Sequence, residues 1–166
     1  MPQLYKYVGP EAIRHAVAES NSGVMIHDKN QLAFWMQQQD EWDDDCLTMT
    51  FAVPADGSLR VAPRRSEHVA CARGADVLAA GELVIRLNPA LEVVGASNLS
   101  TGYCPEPSCW EALQRALRSL DIPAPPALTF SCTFRKCPAC GERNLVKDDW
   151  FVCAICDGPL PAEWNF

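Results

Sequence analysis

No stretch of this chain approaches the eighteen or more consecutive apolar residues that a membrane-spanning helix needs, which sets that mode of membrane passage aside. The opening segment from Met1 to Arg14 has no apolar run behind a basic start, so a secretory leader is not expected. Basic charge is scarce as well: 14 Lys and Arg face 21 Asp and Glu, giving a net charge of −7 and a pI near 4.9. An acidic chain repels phosphate backbones and anionic bilayers at long range, which argues against nonspecific binding to either. Also missing are a nucleophile elbow, a phosphate-cradling glycine loop, a His-Glu metal helix and any repeat of solenoid period. These absences leave a soluble, cytoplasmic protein as the expectation. Its 166 residues, 48% apolar and 21% charged, suit one globular domain or a domain with a small appendage.

Cysteine is what the chain has in excess. Four of its 9 cysteines stand in two Cys-x-x-Cys pairs, Cys137-Pro-Ala-Cys140-Gly and Cys153-Ala-Ile-Cys156-Asp-Gly. Without an export signal, paired thiols read as metal ligands rather than as a disulfide framework. A two-residue spacer lets both sulfurs of a tight turn reach one ion, and Zn²⁺ favours four tetrahedral ligands. Gly141 and Gly158 offer the permissive backbone such turns use. The segments Asn144–Lys147 and Trp150–Val152 suit a hairpin turning at Asp148-Asp149. The expectation is a zinc ribbon with one structural Zn²⁺ on Cys137, Cys140, Cys153 and Cys156. With all four positions thiolate, none is left for the water of a catalytic site.

Three regions follow from the pattern along the chain. Residues 1–42 read as an N-terminal helical segment. Tyr5 to Val8 suits a short strand, and Pro10 opens a helix carrying Ala12, Ile13, Ala16 and Val17 through to Glu19. Val24 to Ile26 can extend, and Asp28 caps a second helix with Leu32, Trp35 and Met36 on one side. The acidic run Asp40, Glu41, Asp43, Asp44 and Asp45 lacks the alternation and central glycine of a calcium loop, and reads as a solvated linker. Residues 46–126 read as a β-rich core with one helix. Leu47, Met49, Phe51 and Val53 alternate, Ala55-Asp56-Gly57-Ser58 turns, and Leu59 and Val61 return. His68 to Ala72 suits a third strand, and Glu82–Leu87 with Leu91–Val94 a second hairpin around Asn88-Pro89. A helix opened by Pro107-Ser108 shows Trp110, Leu113, Leu117 and Leu120 on one stripe. Residues 128–166 hold a strand from Leu128 and the ribbon. The fold class expected is α+β, a small antiparallel β-sheet core with a packed helix, flanked by the helical segment and the ribbon.

Two further constellations lie in the middle region. His68, Cys71, Cys104 and Cys109 comprise one imidazole and three thiols, a set that can hold a second Zn²⁺, although prolines fall inside the Cys104–Cys109 spacer. Alternatively Cys104 is a nucleophile with His68 as its base, oriented by Glu67 or Glu82, and Tyr103 beside it. The plain reading of Cys46, Cys71 and Cys132 is as small core residues. His15 and His27 read as surface or capping residues. For nucleic acid, Trp150 and Phe151 could stack bases, but Arg135–Phe166 holds 4 basic residues against 5 acidic ones, and a loaded four-thiolate site would add further negative charge.

The series His68-Val-Ala-Cys-Ala-Arg-Gly, Leu78-Ala-Ala-Gly-Glu-Leu83 and Ser100-Thr-Gly-Tyr-Cys-Pro105 resembles motifs of plant IQ-motif calmodulin-binding proteins and some bacterial relatives. There a His-led segment precedes an Ala-Ala-Gly turn and a Ser-Gly-His-Tyr-Arg-Pro signature. This chain has an inserted Thr101, lacks the signature's His, and places Cys104 where its Arg would stand. The resemblance implies a small β-rich unit over about forty residues, and the calmodulin-binding helix has no counterpart here. The functional expectation is a non-catalytic zinc-binding adaptor acting on another protein. The alternatives are a transferase or hydrolase centred on His68, Tyr103 and Cys104, and a nucleic-acid-binding ribbon protein.

Overall fold

The computed structural model describes residues 2–17 and 22–166. The chain is α+β, with its helices packed on an antiparallel sheet of six strands and a separate two-stranded ribbon near the end. Helix α1 (Glu11–Ala16) opens at Pro10, whose missing N–H costs nothing at a helix start. The expected continuation to Glu19 lies outside the described residues. Strand β1 (Val24–Ile26) is followed by α2 (Lys29–Gln37), where the Asp28 carboxylate accepts from the Gln31 N–H at 2.8 Å. That helix buries Leu32 and Met36 and half-buries Trp35, the face its spacing predicts.

Strands β2 (Trp42–Asp43), β3 (Cys46–Pro54) and β4 (Leu59–Pro63) then fold back on one another. The acidic run is therefore not a linker. Trp42 and Asp43 pair with Leu47 and Cys46 across a tight turn, and Asp44 supplies the left-handed residue at φ 52°. Aspartate tolerates that conformation because its short polar side chain can bond locally, so the acidic residues shape a turn while their charges stay in water.

Residues His68–Cys71 form a short helix, α3, rather than a strand. Val69, Ala70 and Cys71 are all buried, so no polar alternation marks a period, and the turn closes through Arg73 and Gly74, both left-handed. Strand β5 (Val77–Arg86) is longer than expected and runs straight through Leu78-Ala79-Ala80-Gly81, which makes no turn. Gly81 is needed for approach rather than for bending: a Cβ there would lie 2.0 Å from the Ser97 carbonyl oxygen. After Asn88-Pro89, which is cis, β6 (Glu92–Ala96) completes the hairpin.

The main sheet runs β1-β4-β3-β5-β6, with β2 added on β3, so the N-terminal segment contributes a strand to the same sheet as the middle region. From Thr50 to Pro54 the central strand is buried on both faces. Helix α4 (Trp110–Ser119) follows a single 3₁₀ turn at Pro107–Cys109 and lies across β3, β4 and β5. Its Trp110, Leu113 and Leu117 are buried, each worth roughly 1.5–3 kcal/mol relative to exposure. Tyr5 makes only a single bridge to Val77, because the chain then turns to a new neighbour, with Val8 N–H bonding the Gly102 carbonyl at 2.7 Å.

The outer edge of β6 is taken up by the chain itself. Val93 N–H bonds the Pro123 carbonyl at 2.8 Å, and the Thr129 and Phe130 amides both bond the Ala96 carbonyl. The strand expected from Leu128 is reduced to these bonds and one Ser97–Phe130 bridge, because the prolines before it have no N–H to continue a ladder. Strands β7 (Thr133–Lys136) and β8 (Arg143–Val146) make the ribbon's sheet. Among the described residues no helix is long and apolar enough to cross a membrane.

Candidate metal centre

Each Cys-x-x-Cys pair sits at the tip of its own hairpin. The first pair is the connection between β7 and β8, closed by Cys137 N–H to Glu142 carbonyl at 2.8 Å and Gly141 N–H to Cys137 carbonyl at 2.8 Å. The second pair repeats the pattern through Cys153 N–H to Gly158 carbonyl at 2.8 Å and Asp157 N–H to Cys153 carbonyl at 3.0 Å. Phe151 and Leu160 flank it, joined by a backbone bond of 2.9 Å. The hairpin expected between 144–147 and 150–152 is thus replaced by two others. Asp148 and Asp149 do turn, both at φ 53°, but they link the two hairpins instead of closing one.

The residue after the second cysteine of each knuckle is left-handed, Gly141 at φ 80° and Asp157 at φ 60°. Gly158 does not have that role. A Cβ on it would stand 3.2 Å from Cys156 Sγ, 3.5 Å from Ala139 Cβ and 3.7 Å from Cys137 Sγ, so its bareness leaves room for sulfur.

The four Sγ atoms lie within 4.8 Å of one another, the one grouping of metal-ligating side chains among the described residues that meets this spacing. Two separations join opposite knuckles: Cys137 to Cys156 at 3.5 Å and Cys140 to Cys153 at 3.6 Å. Disulfide sulfurs stand about 2.05 Å apart, so these are not disulfides. A tetrahedron with metal–sulfur bonds of about 2.3 Å has edges of about 3.8 Å, and these two separations fall within a few tenths of an ångström of that length. The arrangement could hold a metal ion such as zinc.

Surrounding donors favour a charged sulfur at the first cysteine of each knuckle, whereas Cys140 and Cys156 are raised. The amides of Cys156 and Ile155, with the Asn144 side chain, pull the Cys153 thiol down to about 6. The Asn144 amide nitrogen lies 3.4 Å from Cys153 Sγ, while its oxygen accepts from the Ala154 N–H at 2.9 Å. Cys137 is lowered in the same way by the amides of Cys140 and Ala139. In Cys140 the pull of the Glu142 amide is outweighed by the crowding of its sulfur away from water and by hydrogen bonds to the Cys153, Cys156 and Cys137 sulfurs, and its thiol stands at about 12. Asn144 is buried on β8, where its side chain would orient the Cys153 sulfur from outside the ligand set of any bound ion. Its sequence signal, an Asn four residues past a knuckle, was too common to single out.

The ribbon is tied to the core by polar contacts that the residue pattern did not announce. Arg135, 6% exposed, donates through Nε to the Pro161 and Ala162 carbonyls at 3.2 Å, through Nη2 to Ala162 at 2.7 Å, and through Nη1 to Phe134 O at 2.7 Å and Glu106 Oε1 at 3.0 Å. Asn98, fully buried, donates to the Pro105 and Cys132 carbonyls and accepts from the Cys132 N–H at 2.6 Å. The Asn165 side chain closes both backbone groups of Lys136, and Trp164 donates to the Cys104 carbonyl at 2.8 Å.

The middle-region candidates are placed separately. His68, half-buried, has Nε2 2.9 Å from the Gly81 carbonyl, and desolvation lowers its pKa. Cys71 lies 3.6 Å from the Arg60 carbonyl, and burial pushes its thiol up to about 12. Cys104, at φ 46°, packs with Cys132 and Phe134, and burial lifts it to about 12 as well. Cys109, beside Ala80, is likewise raised to about 12 by burial. The Tyr103 hydroxyl donates to the Ala75 carbonyl at 2.6 Å, and burial raises its pKa. His68, Cys71, Cys104 and Cys109 are not gathered as a ligand set. Of the aromatic pair, Trp150 is 70% exposed, but the Arg135 guanidinium covers the half-buried Phe151 ring at 5.8 Å.

No protein-family profile, curated protein or solved structure matches this chain, so the likeness of residues 68–105 to calmodulin-binding proteins gains no support.

Proposed function

We propose that this chain is a zinc-binding adaptor of the cytoplasm, in which one structural Zn²⁺ on Cys137, Cys140, Cys153 and Cys156 stiffens the ribbon and the ribbon contacts another protein. The observation carrying this reading is the cluster of four sulfurs within 4.8 Å of one another, enough ligands to fill a tetrahedral ion with no position left for water. Bound zinc supplies a fixed crosslink between two hairpins too small to bury a core of their own. The chain's residues supply the rest. Arg135 and Asn98 fix the ribbon on the core, and Trp150 and Ile155 are left exposed on it at 70% and 71%.

The enzyme alternative, a transferase or hydrolase at His68, Tyr103 and Cys104, is disfavoured by burial, which holds the Cys104 thiol protonated at neutral pH. The nucleic-acid alternative is disfavoured by the acidic surface and by the covered Phe151. Elemental analysis of protein purified under reducing conditions tests the metal, with about one zinc per chain expected. Stoichiometric iron or no metal would defeat that half of the reading. Quantitative capture from cells tests the adaptor half. Partners held by the wild type should be lost with Trp150→Ser/Ile155→Ser at unchanged zinc content, and an identical capture profile would defeat it.

A further inference from the structure

The four residues inside the knuckles are all small or apolar: Pro138 and Ala139 in the first, Ala154 and Ile155 in the second. All four are exposed, Ile155 to 71%. They belong to one surface, because the sulfurs pair across the knuckles and Ala139 Cβ stands 3.5 Å from where a side chain on Gly158 would begin. An apolar tip on a chain of net charge −7 costs solubility, and a patch of this kind marks a contact site.

The charge beside the tip is mostly of one sign, the exposed Lys136 before the first knuckle being the exception. Glu142 stands two residues past the first knuckle and Asp157 directly after the second, both exposed, and among the described residues neither carboxylate is within ion-pair distance of a basic side chain. The other nearby cation, Arg143, donates to the Thr101 carbonyl of the core. A divalent ion on four thiolates leaves two further negative charges, and Cys140 and Cys156 reach the surface. A second copy of this chain brings the same negative tip, and a nucleic acid brings phosphates; both are repelled.

We infer that the ribbon tip docks a segment of another protein that sets a large apolar side chain on Ile155 and its neighbours between lysines or arginines. The inference rests on the zinc-adaptor reading and adds the partner's chemistry to it. The apolar contact supplies affinity, and the flanking cations meet Glu142, Asp157 and the charged cluster, which sets orientation and speeds encounter.

The test pans a phage-displayed library of random twelve-residue peptides against the zinc-loaded full chain. The enriched peptides should place Lys or Arg beside Leu, Ile, Met, Phe or Trp. They should bind Ile155→Ser about tenfold more weakly and Glu142→Gln/Asp157→Asn several-fold more weakly, with zinc content unchanged and affinity falling as salt rises. Asparagine accepts the left-handed backbone at 157, so the charge variant keeps the knuckle. Should Ile155→Ser lose zinc, Ile155→Thr takes its place. An acidic or uncharged consensus, equal binding to the Ile155 variants, or no enrichment overturns the inference. Tip-dependent binding of a fluorescent single-stranded oligonucleotide overturns it in favour of nucleic acid. If cellular capture still depends on Trp150 and Ile155 while the peptides show no basic residues, the adaptor reading survives and only the partner's chemistry falls.

Discussion

Truncating Arg135 to alanine should detach the C-terminal tail from the core while leaving the metal in place. The guanidinium reaches four acceptors, one of them its neighbour's carbonyl: Nε and Nη2 serve Pro161 and Ala162, and Nη1 serves Phe134 and Glu106. An acceptor left unsatisfied in a buried setting costs about 1–3 kcal/mol, and breaking a buried pair from one side costs about 3–5 kcal/mol. Glu106 is partly exposed, and water enters the space the side chain vacates, so the full sum does not apply. A loss of about 4 kcal/mol is expected, a large share of the 5–15 kcal/mol typical of a domain. Arg135→Lys keeps the charge but not the planar fork and should lose about 2 kcal/mol. Urea unfolding gives the free energies. Near-ultraviolet circular dichroism reports release of Trp164, whose ring packs edge-on against Tyr5 at 5.5 Å. Zinc content should stay near one, because no ligand sulfur bonds Arg135. A loss below about 1 kcal/mol, or equal losses for the two variants, would refute the clamp.

Cys153→Ser should release zinc and loosen the knuckles while the six-stranded sheet persists. Strands β7 and β8 hold four residues each against nine and ten in β3 and β5, so far-ultraviolet circular dichroism should change only slightly; collapse of the whole spectrum would show that the sheet depends on the metal. Gly158→Ala places a methyl group 3.2 Å from Cys156 Sγ and should weaken zinc affinity about tenfold in a chelator competition, whereas unchanged affinity would mean the sulfurs have room to spare. Cys71, Cys104 and Cys109, held near 12 by burial, should be silent to iodoacetamide at pH 7, where roughly 10⁻⁵ of each is thiolate; rapid labelling of Cys104 would restore the enzyme reading. The same thiols set an alkaline limit. Below pH 9 both folded and unfolded states keep these protons, but from about 9 to 12 only the unfolded chain loses them, so stability falls as pH rises through that window. A flat stability curve between pH 9 and 11 would contradict their burial.

Much of the sheet was legible because its signals are local. Alternation at Leu47, Met49, Phe51 and Val53 marks β3, Asp56-Gly57 marks the turn, and the stripe from Trp110 to Leu117 marks α4. Where burial is all round, the period vanishes, which is why α3 reads as a strand; the turn at Ala79-Ala80-Gly81 is implied only by the family resemblance, and β5 runs through it. Left-handed aspartates were in part the other blind spot. The turn at Asp148-Asp149 is expected, but Asp44 and Asp157 turn the chain at positions where composition suggests only charge. The four sulfurs of the candidate site could be named from spacing alone, since two knuckles need only to meet. Asn144, Asn98 and Arg135 could not, because each acts across 9 or more residues of chain, on partners that only the fold brings close.

The closure of the β6 edge bears on how this protein behaves at high concentration. An open edge invites strands from neighbouring molecules, and a run such as Glu92-Val-Val-Gly-Ala would be a ready template. Here the amide of Val93 and the carbonyl of Ala96 are already spoken for, and the covering segment includes prolines that cannot recruit a further strand. Shortening the 122–128 loop would therefore uncover that edge, turning a tolerant surface segment into the difference between a clear solution and a fibrous one.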